Sequence, residues 1–265
     1  VTPGADTLVP QDIRVTLKQY GCLYQLTDQT VDTYEDDVPA EMKKQCGERI
    51  ALVREMIRYG VLKACTNVFY AGGGASRAAV NAKISLNLLR KISRNLQANH
   101  AKRITGILSP SAMIATKPVE ASYLVFVHTD AEADIRDLPG FTHVSAYGSR
   151  KPVHTQEIGS CENFRFITSA ELAPYAGAGA AIGSTGLTGA TNVDVYPFIM
   201  VGEDAWGQLA LRGSDSIDPT YIPPGVKDKS DPLGQRGYVG AKFYMACTML
   251  NEGWMAVAEA GVTAL

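Results

Sequence analysis

The stretch "VPAEMKKQCGERIALVREMIRYGVLKA", residues 38–64, places Met42, Cys46, Ile50, Val53, Ile57 and Val61 at intervals of three or four. That spacing predicts an α-helix with one apolar stripe turned inward. Asp36 or Asp37 supplies an oxygen to cap the first turn, and Pro39 falls where a missing N–H costs nothing. At 1.5 Å per residue such a helix runs roughly 40 Å. A helix of that length is long for the compact core of a 265-residue chain.

Reading outward, the N-terminal residues 1–12 hold Pro3, Gly4 and Pro10 and read as an extended arm. "DIRVTLKQYGCLYQLTD" (12–28) alternates apolar and polar side chains, which predicts two strands about a break at Tyr20-Gly21. Beyond the long helix, "NVFYAGGGASRAAVN" (67–81) leads to a second helix expected over 79–98, with Ile84, Leu88, Ile92 and Leu96 inward. "SYLVFVHTD" reads as a buried strand, "AEADIRDL" as a short helix stopped by Pro139-Gly140, and "NFRFIT" and "VDVYPFIMVG" as further strands. "YAGAGAAIGSTGLTGATN" (175–192) has no charge and no apolar period, so it is expected to be an exposed loop. The segment after Gly213 is rich in Pro, Gly and Asp, and "GAKFYMACTMLNEGWMAVAEA" mixes strand and helix signals. A hairpin, then long helices, then mixed strands argues an α+β fold.

Composition is that of an ordinary globular chain: 46% apolar, 20% charged, formal net charge −2. No global field demands a nucleic-acid or membrane partner, no apolar run reaches the roughly 18 residues that span a bilayer, and no signal-peptide pattern opens the chain. The start at Val1 implies that the original N-terminus is missing or was removed. Five separated cysteines, Cys22, Cys46, Cys65, Cys161 and Cys247, without a C-x-x-C, read as reduced and mostly buried thiols of a cytosolic setting, not a disulfide framework or zinc site.

Charge is unevenly distributed. Residues 56–119 contain no aspartate or glutamate, yet carry Arg77, Lys83, Arg90, Lys91, Arg94, Lys102 and Arg103 among their basic side chains. Two readings fit: a face that meets acidic neighbours or a polyanion, or a solvated face whose counter-charges come from elsewhere in the fold.

Catalytic patterns are weak. Gly72, Gly73 and Gly74 lack the Lys-Ser/Thr of a P-loop and the preceding strand of a dinucleotide fingerprint, so they read as a joint between helices. His128, Asp130, Glu132 and Asp134 alternate like metal ligands. They sit at a strand-to-helix passage, where Thr129 or Asp130 would cap the helix. No G-x-S-x-G occurs, and His100, His128, His143 and His154 lie in unrelated contexts. No catalytic residue, metal ligand or cofactor is expected.

The ordered set "LKQYGCLYQLTDQTVDTYED", "GVLKACTNVFYAGG", "VHTDAEADIRDLPGF", "VDVYPFIMVGEDAWG" and "SDPLGQRGYVGAKFY", spanning about Gln11 to Trp254, closely resembles the major capsid proteins of tailed bacteriophages of the coliphage N-4 type. The resemblance implies the HK-97-like capsid fold. Residues 1–36 would be the distal extended loop and adjoining strands, and 37–125 the peripheral domain with its spine helix. Residues 126–230 would form the axial domain with the 176–192 loop, and 231–265 the return strand and C-terminal segment. The family's N-terminal arm and the first half of its loop are expected to be absent. It further implies no enzymatic activity, and a structural protein that self-assembles into pentamers and hexamers of an icosahedral shell around double-stranded DNA. The shell would assemble in a bacterial host's cytoplasm and end in the virion, with decoration (cement), scaffold and portal proteins as candidate partners and no membrane. The basic residues Arg77 to Arg103 would then face neighbouring subunits or DNA. Residues 1–17 hold no lysine, so nothing supports the subunit cross-link of some relatives of this fold. The alternatives are an encapsulin-type compartment and, further off, an α/β enzyme using the Gly72–Gly74 loop.

Overall fold

The computed structural model describes residues 7, 9, 12–108, 116–148, 150–183, 185–209 and 217–265. The expected arm over residues 1–12 lies almost wholly outside them. The chain divides into two units, each built from two stretches: Val1–Ile50 with Gln208–Leu250, and Ala51–Gly207 with Asn251–Leu265.

The first unit is organised on an antiparallel sheet. β1 (Lys18–Thr27) pairs along its whole length with β11 (Arg236–Met249), from Lys18 opposite Met245 to Thr27 opposite Arg236. The expected break at Tyr20-Gly21 does not occur. A β-carbon at Gly21 would stand 3.1 Å from the Ala241 carbonyl oxygen, so this glycine permits a close cross-strand approach within one unbroken strand. β10 (Asp218–Ile222) adds to the far side of β11. The turn between them is closed by Gly225 N–H donating to Gly234 O at 2.7 Å. Asp231 accepts from the Arg236 amide at 2.8 Å, and Gly234 adopts φ +69°. Those contacts explain the residue types of "SDPLGQRG". A short helix α1 (Asp28–Thr33) follows β1, capped by the Thr27 hydroxyl accepting from Thr30 N–H.

α2 is the expected long helix, Val38–Leu62, and the Asp37 carboxylate accepts from the Ala40 amide at 3.1 Å. Its 25 residues make about 37 Å. The apolar stripe is not continuous. Cys46 and Ile50 are buried in the first unit, but in the second the buried positions are Tyr59 and Leu62, with Val53, Ile57 and Val61 only half-buried.

The second unit carries a mixed sheet in the order β2 (Val68–Tyr70), β12 (Met255–Ala260), β8 (Tyr196–Val201), β4 (Thr116–Val127), β7 (Phe164–Thr168), β6 (Glu157–Cys161), β5 (Thr142–His143). β3 (Ile104–Leu108) pairs with β4, whereas β9 (Trp206–Leu209) belongs to the other sheet, where it pairs with β11. β8 and β12 are buried at every position, so neither alternates; β8 is a continuous apolar run and β12 is one but for Glu259. The ambiguous C-terminal stretch resolves into β11 and β12, separated by a 3₁₀ turn at Glu252–Trp254.

α3 begins at Leu86, not near 79, and ends at Ala98. The Ser85 hydroxyl accepts from the Leu88 amide and sets the start. Leu89, Ile92 and Leu96 are fully buried against the sheet core, whereas Leu88 is only partly so. A 4-4 spacing from Leu88 drifts around a helix of 3.6 residues per turn; the 3-4 spacing from Leu89 keeps one bearing. α4 (Glu132–Arg136) is the short helix expected before Pro139-Gly140, entered through a 3₁₀ turn at Thr129–Ala131. The capping group there is the His128 ring, not Thr129 or Asp130.

The Ala/Gly tract forms no regular element, as expected, but it is not simply an exposed loop. Leu187 and Val193 are buried, and Thr188 N–H donates to Val262 O at 2.7 Å. Isolated bridges join Tyr175 to Val195, Ala181 to Asn192 and Leu187 to Thr263. Small side chains let this backbone lie close to the end of β12: a β-carbon on Gly261 would meet Leu187 Cδ1 at 2.8 Å.

Candidate functional site

The acid-free window finds counter-charges far along the same chain. Arg77 grips Glu259 with Nε–Oε2 at 2.8 Å and Nη2–Oε1 at 2.6 Å, while its guanidinium lies 3.6 Å over the Tyr175 ring. Glu259 is 1% exposed, and this bidentate pair raises the guanidinium's pKa. Lys63 joins the cluster, donating to Ala173 O at 2.8 Å with its ammonium 4.6 Å from the centre of the Tyr175 ring. Burial and then the nearby Arg77 lower its pKa.

Lys83 reaches Asp134 at 3.2 Å and Asp137 at 3.8 Å. Asp134 is buried and also accepts from the Thr263 amide at 2.8 Å and hydroxyl at 2.6 Å, which ties α4 to the chain beyond β12. Arg90 on α3 pairs with Glu162 at 2.7 Å. Three of the seven basic residues singled out in the sequence are therefore neutralised within the chain. The other four are placed differently. Lys91 lies 5.7 Å from the Phe69 ring and Arg103 5.9 Å from the Tyr123 ring. Among the described residues, Lys91, Arg94 and Lys102 pair with no carboxylate, and all three are exposed.

The glycine run makes a packed turn. Gly72 and Gly73 adopt φ +79° and +77°, and a β-carbon on Gly72 would strike Asn81 Oδ1. The run follows the short strand β2, where a helix-to-helix joint was expected. Three of the four histidines share one local role: the Nδ1 atoms of His128, His143 and His154 accept from the amides of Asp130, Ser145 and Gln156 at 3.1–3.2 Å. Asp130 instead accepts from the Tyr196 hydroxyl at 2.9 Å. Burial, and then that bond, push the phenol's pKa up. Among the described residues no three His, Cys, Asp or Glu side chains gather as a metal site.

Sequence reading missed a second buried charge cluster. Glu157 accepts from the Tyr147 hydroxyl at 2.7 Å and the Val153 amide at 2.5 Å, and Arg165 lies 3.8 Å away. Arg165 donates to Lys151 O at 3.3 Å and reaches Glu120 at 3.5 Å. The Tyr147 phenol is pushed up to about 12, first by burial. Glu120 and Arg165 are 45 positions apart, so no local motif announces the cluster. The distinctive surface feature is apolar. Of fourteen exposed large hydrophobic side chains among the described residues, eleven belong to the first unit, including Leu23, Tyr34, Tyr221, Ile222, Leu233 and Leu250.

No protein-family model matches the chain. It is 21% identical over 262 residues to the major capsid protein of Pseudomonas phage KPP21, covering 91% of this chain and 65% of that protein. The chain thus spans about two thirds of the length of that curated relative. Among solved structures it matches the capsid of Ralstonia phage GP4 with a TM-score of 0.65 at 11% identity, over 94% of this chain and 74% of that one. It also matches the SrpI encapsulin of Synechococcus elongatus PCC 7942 with a TM-score of 0.57 at 12% identity, over 94% and 75%. A long helix, an antiparallel sheet unit with an apolar surface and a mixed-sheet unit are thus the parts of an HK-97-like capsid fold, and that is the fold of this chain.

Proposed function

We propose that this chain is a structural major capsid protein of a tailed bacteriophage, of the coliphage N-4 type, and not an enzyme. The observation that carries the reading is the concentration of exposed apolar side chains on the first unit. A sheet and turn that leave Leu23, Tyr221, Ile222 and Leu233 in water gain by meeting copies of themselves. Contacts of that kind that join unlike surfaces close into rings, which supports pentamers and hexamers of a closed shell around double-stranded DNA. The likeness to phage capsids supports the same reading.

Within it, residues 1–36 serve as the distal extended loop and 37–125 as the peripheral domain. Residues 126–230 serve as the axial domain with its 176–192 loop at capsomer centres, and 231–265 as the return segment. The seven basic residues enter unequally. Arg77, Lys83 and Arg90 hold the subunit together, and Lys91, Arg94, Lys102 and Arg103 are the side chains that meet acidic neighbours or packaged DNA. Decoration, scaffold and portal proteins are further partners, with assembly in the host cytoplasm and the virion as destination.

The test is electron microscopy of the purified full-length protein, with nuclease-resistant nucleic acid measured in the same particles. Closed shells are expected, holding DNA when made in the phage context. A lone monomer that turns over a substrate would overturn the proposal. The encapsulin likeness favours a second reading, and shells that retain a protein cargo and no DNA would select it.

A further inference from the structure

Cys22 and Cys46 are 24 positions apart, yet their Sγ atoms lie 2.7 Å from each other. That is inside the roughly 3.5–4.0 Å at which even the smaller non-bonded carbon atoms rest, and approaches the roughly 2.05 Å of a disulfide. Cys22 lies on β1 opposite Ala241, and Cys46 lies on the buried side of α2, so both partners are held by regular structure inside one unit. Cys46 is 4% exposed, whereas Cys22 is half-buried and reachable from solvent. Cys46 also lines a cavity of about 280 Å³ with Lys43, Ile50, Tyr221 and Ala241. Of the other three thiols, Cys65 and Cys161 are buried in the second unit, and Cys247 is half-buried on β11 of the first. No local pattern marks this pair, because a strand and a helix joined by a second helix bring the two residues together.

We infer that Cys22 and Cys46 form a redox site that closes to an intrachain disulfide by exchange with a small-molecule disulfide such as oxidised glutathione. In the first step the Cys22 thiolate attacks one sulfur of the small disulfide, forms a mixed disulfide and releases one thiolate. In the second, the Cys46 sulfur attacks the Cys22 sulfur and displaces the other thiolate. The two protons lost by the cysteines end on the two released thiols. The protein pair is oxidised by two electrons and the small disulfide is reduced by two. The order follows from access and basicity: the Cys46 thiol is pushed up to about 11 by burial and by its neighbour Cys22, which makes the more exposed Cys22 the entering nucleophile. The closed form staples β1 to α2 and shortens the open loop of the unfolded chain. This inference does not depend on the proposed shell function.

The test uses the purified full-length chain, treated with either a thiol reductant or oxidised glutathione, then alkylated, digested with trypsin and weighed. The oxidised sample is expected to yield peptide 19–43 linked to peptide 45–49, with three alkylatable thiols in place of five. Its melting temperature should rise by roughly 5 °C or more and return on reduction. Both Cys22→Ser and Cys46→Ser should abolish the linked peptide and the shift. Five alkylatable thiols after oxidation, a persistent glutathione adduct on Cys22, or a bridge between two chains would each overturn the inference. Because Cys22→Ser alters a half-buried position, the linked peptide in the unsubstituted chain is decisive even if a variant folds poorly. Shell formation without the bridge, or the bridge without shells, separates this result from that of the proposed function.

Discussion

Arg77 and Glu259 are 182 positions apart and exchange two charge-assisted hydrogen bonds under the ring of Tyr175. The carboxylate is almost wholly buried and the guanidinium partly wet, so the two partners are unequal in what their loss costs. Arg77→Ala strands a buried anion and is expected to cost about 2–3 kcal/mol. That is less than the roughly 3–5 of a fully enclosed pair, because Arg77 is over a third exposed. Glu259→Gln leaves a guanidinium that water can reach and should cost less. Urea unfolding of the two variants checks the order, and equal losses would contradict it. Tyr147 gives a pH signature. Burial pushes its folded pKa up to about 12 from a tyrosine's ordinary value of about 10, so between those values the folded chain binds more protons than the unfolded one. Stability held below pH 10 should therefore fall as pH rises toward 12. Tyr147→Phe should show a shallower alkaline decline relative to its own neutral value, measured by denaturant titration across that window. Buried Tyr59 and Tyr196 are also raised, so the decline is reduced and not abolished.

At the scale of elements, α3 shows what is legible in a sequence and what is not. Its apolar period and its end near Ala98 were plain, but its start was set by one hydroxyl, Ser85, and its inward register by Leu89 rather than Leu88. A capping serine and a one-residue rotation are small signals beside the period. β1 is legible as alternation, and Gly21 reads as a break, because a glycine that admits a neighbouring carbonyl looks the same in sequence as one that ends a strand. The solvent side of α3 carries Lys91 and Arg94, three positions apart and exposed, beside Arg90, which Glu162 already neutralises. If α3 meets an acidic surface, Lys91→Glu with Arg94→Glu should leave unfolding stability within about 0.5 kcal/mol of the parent. The same change should lower shell yield, and the yield of the parent should drop as salt is raised. Arg90→Glu should instead destabilise the subunit by breaking its pair with Glu162. Assembly indifferent to both salt and the double reversal would remove these side chains from the interface.

For the whole molecule, the features that resisted sequence reading are the ones that only closure of the chain creates. The Cys22–Cys46 contact, the anchoring of the Ala/Gly tract beside Val262 and the reach of Arg165 to Glu120 all join residues with no local pattern in common. The apolar surface of the first unit is of the same kind. Leu23 stands between Cys22 and Tyr24 on the other side of β1, with Gly21 and Gln25, and Leu233 sits in a turn; both are exposed, at 66% and 72%. A side chain left in water on a chain of 46% apolar content has a use if another copy covers it. Leu23→Asp combined with Leu233→Asp tests this directly. Because neither side chain is packed inside the subunit, the double variant should keep the parent's circular dichroism and unfold within about 1 kcal/mol of it. Introducing two charges into a desolvated contact should nevertheless cost several kcal/mol per interface, and shell yield by sedimentation should fall at least about tenfold. Undiminished shells from the well-folded double variant would place these leucines outside every subunit contact. The apolar face would then need another explanation, while a variant that loses both fold and assembly would show that the leucines pack within the subunit.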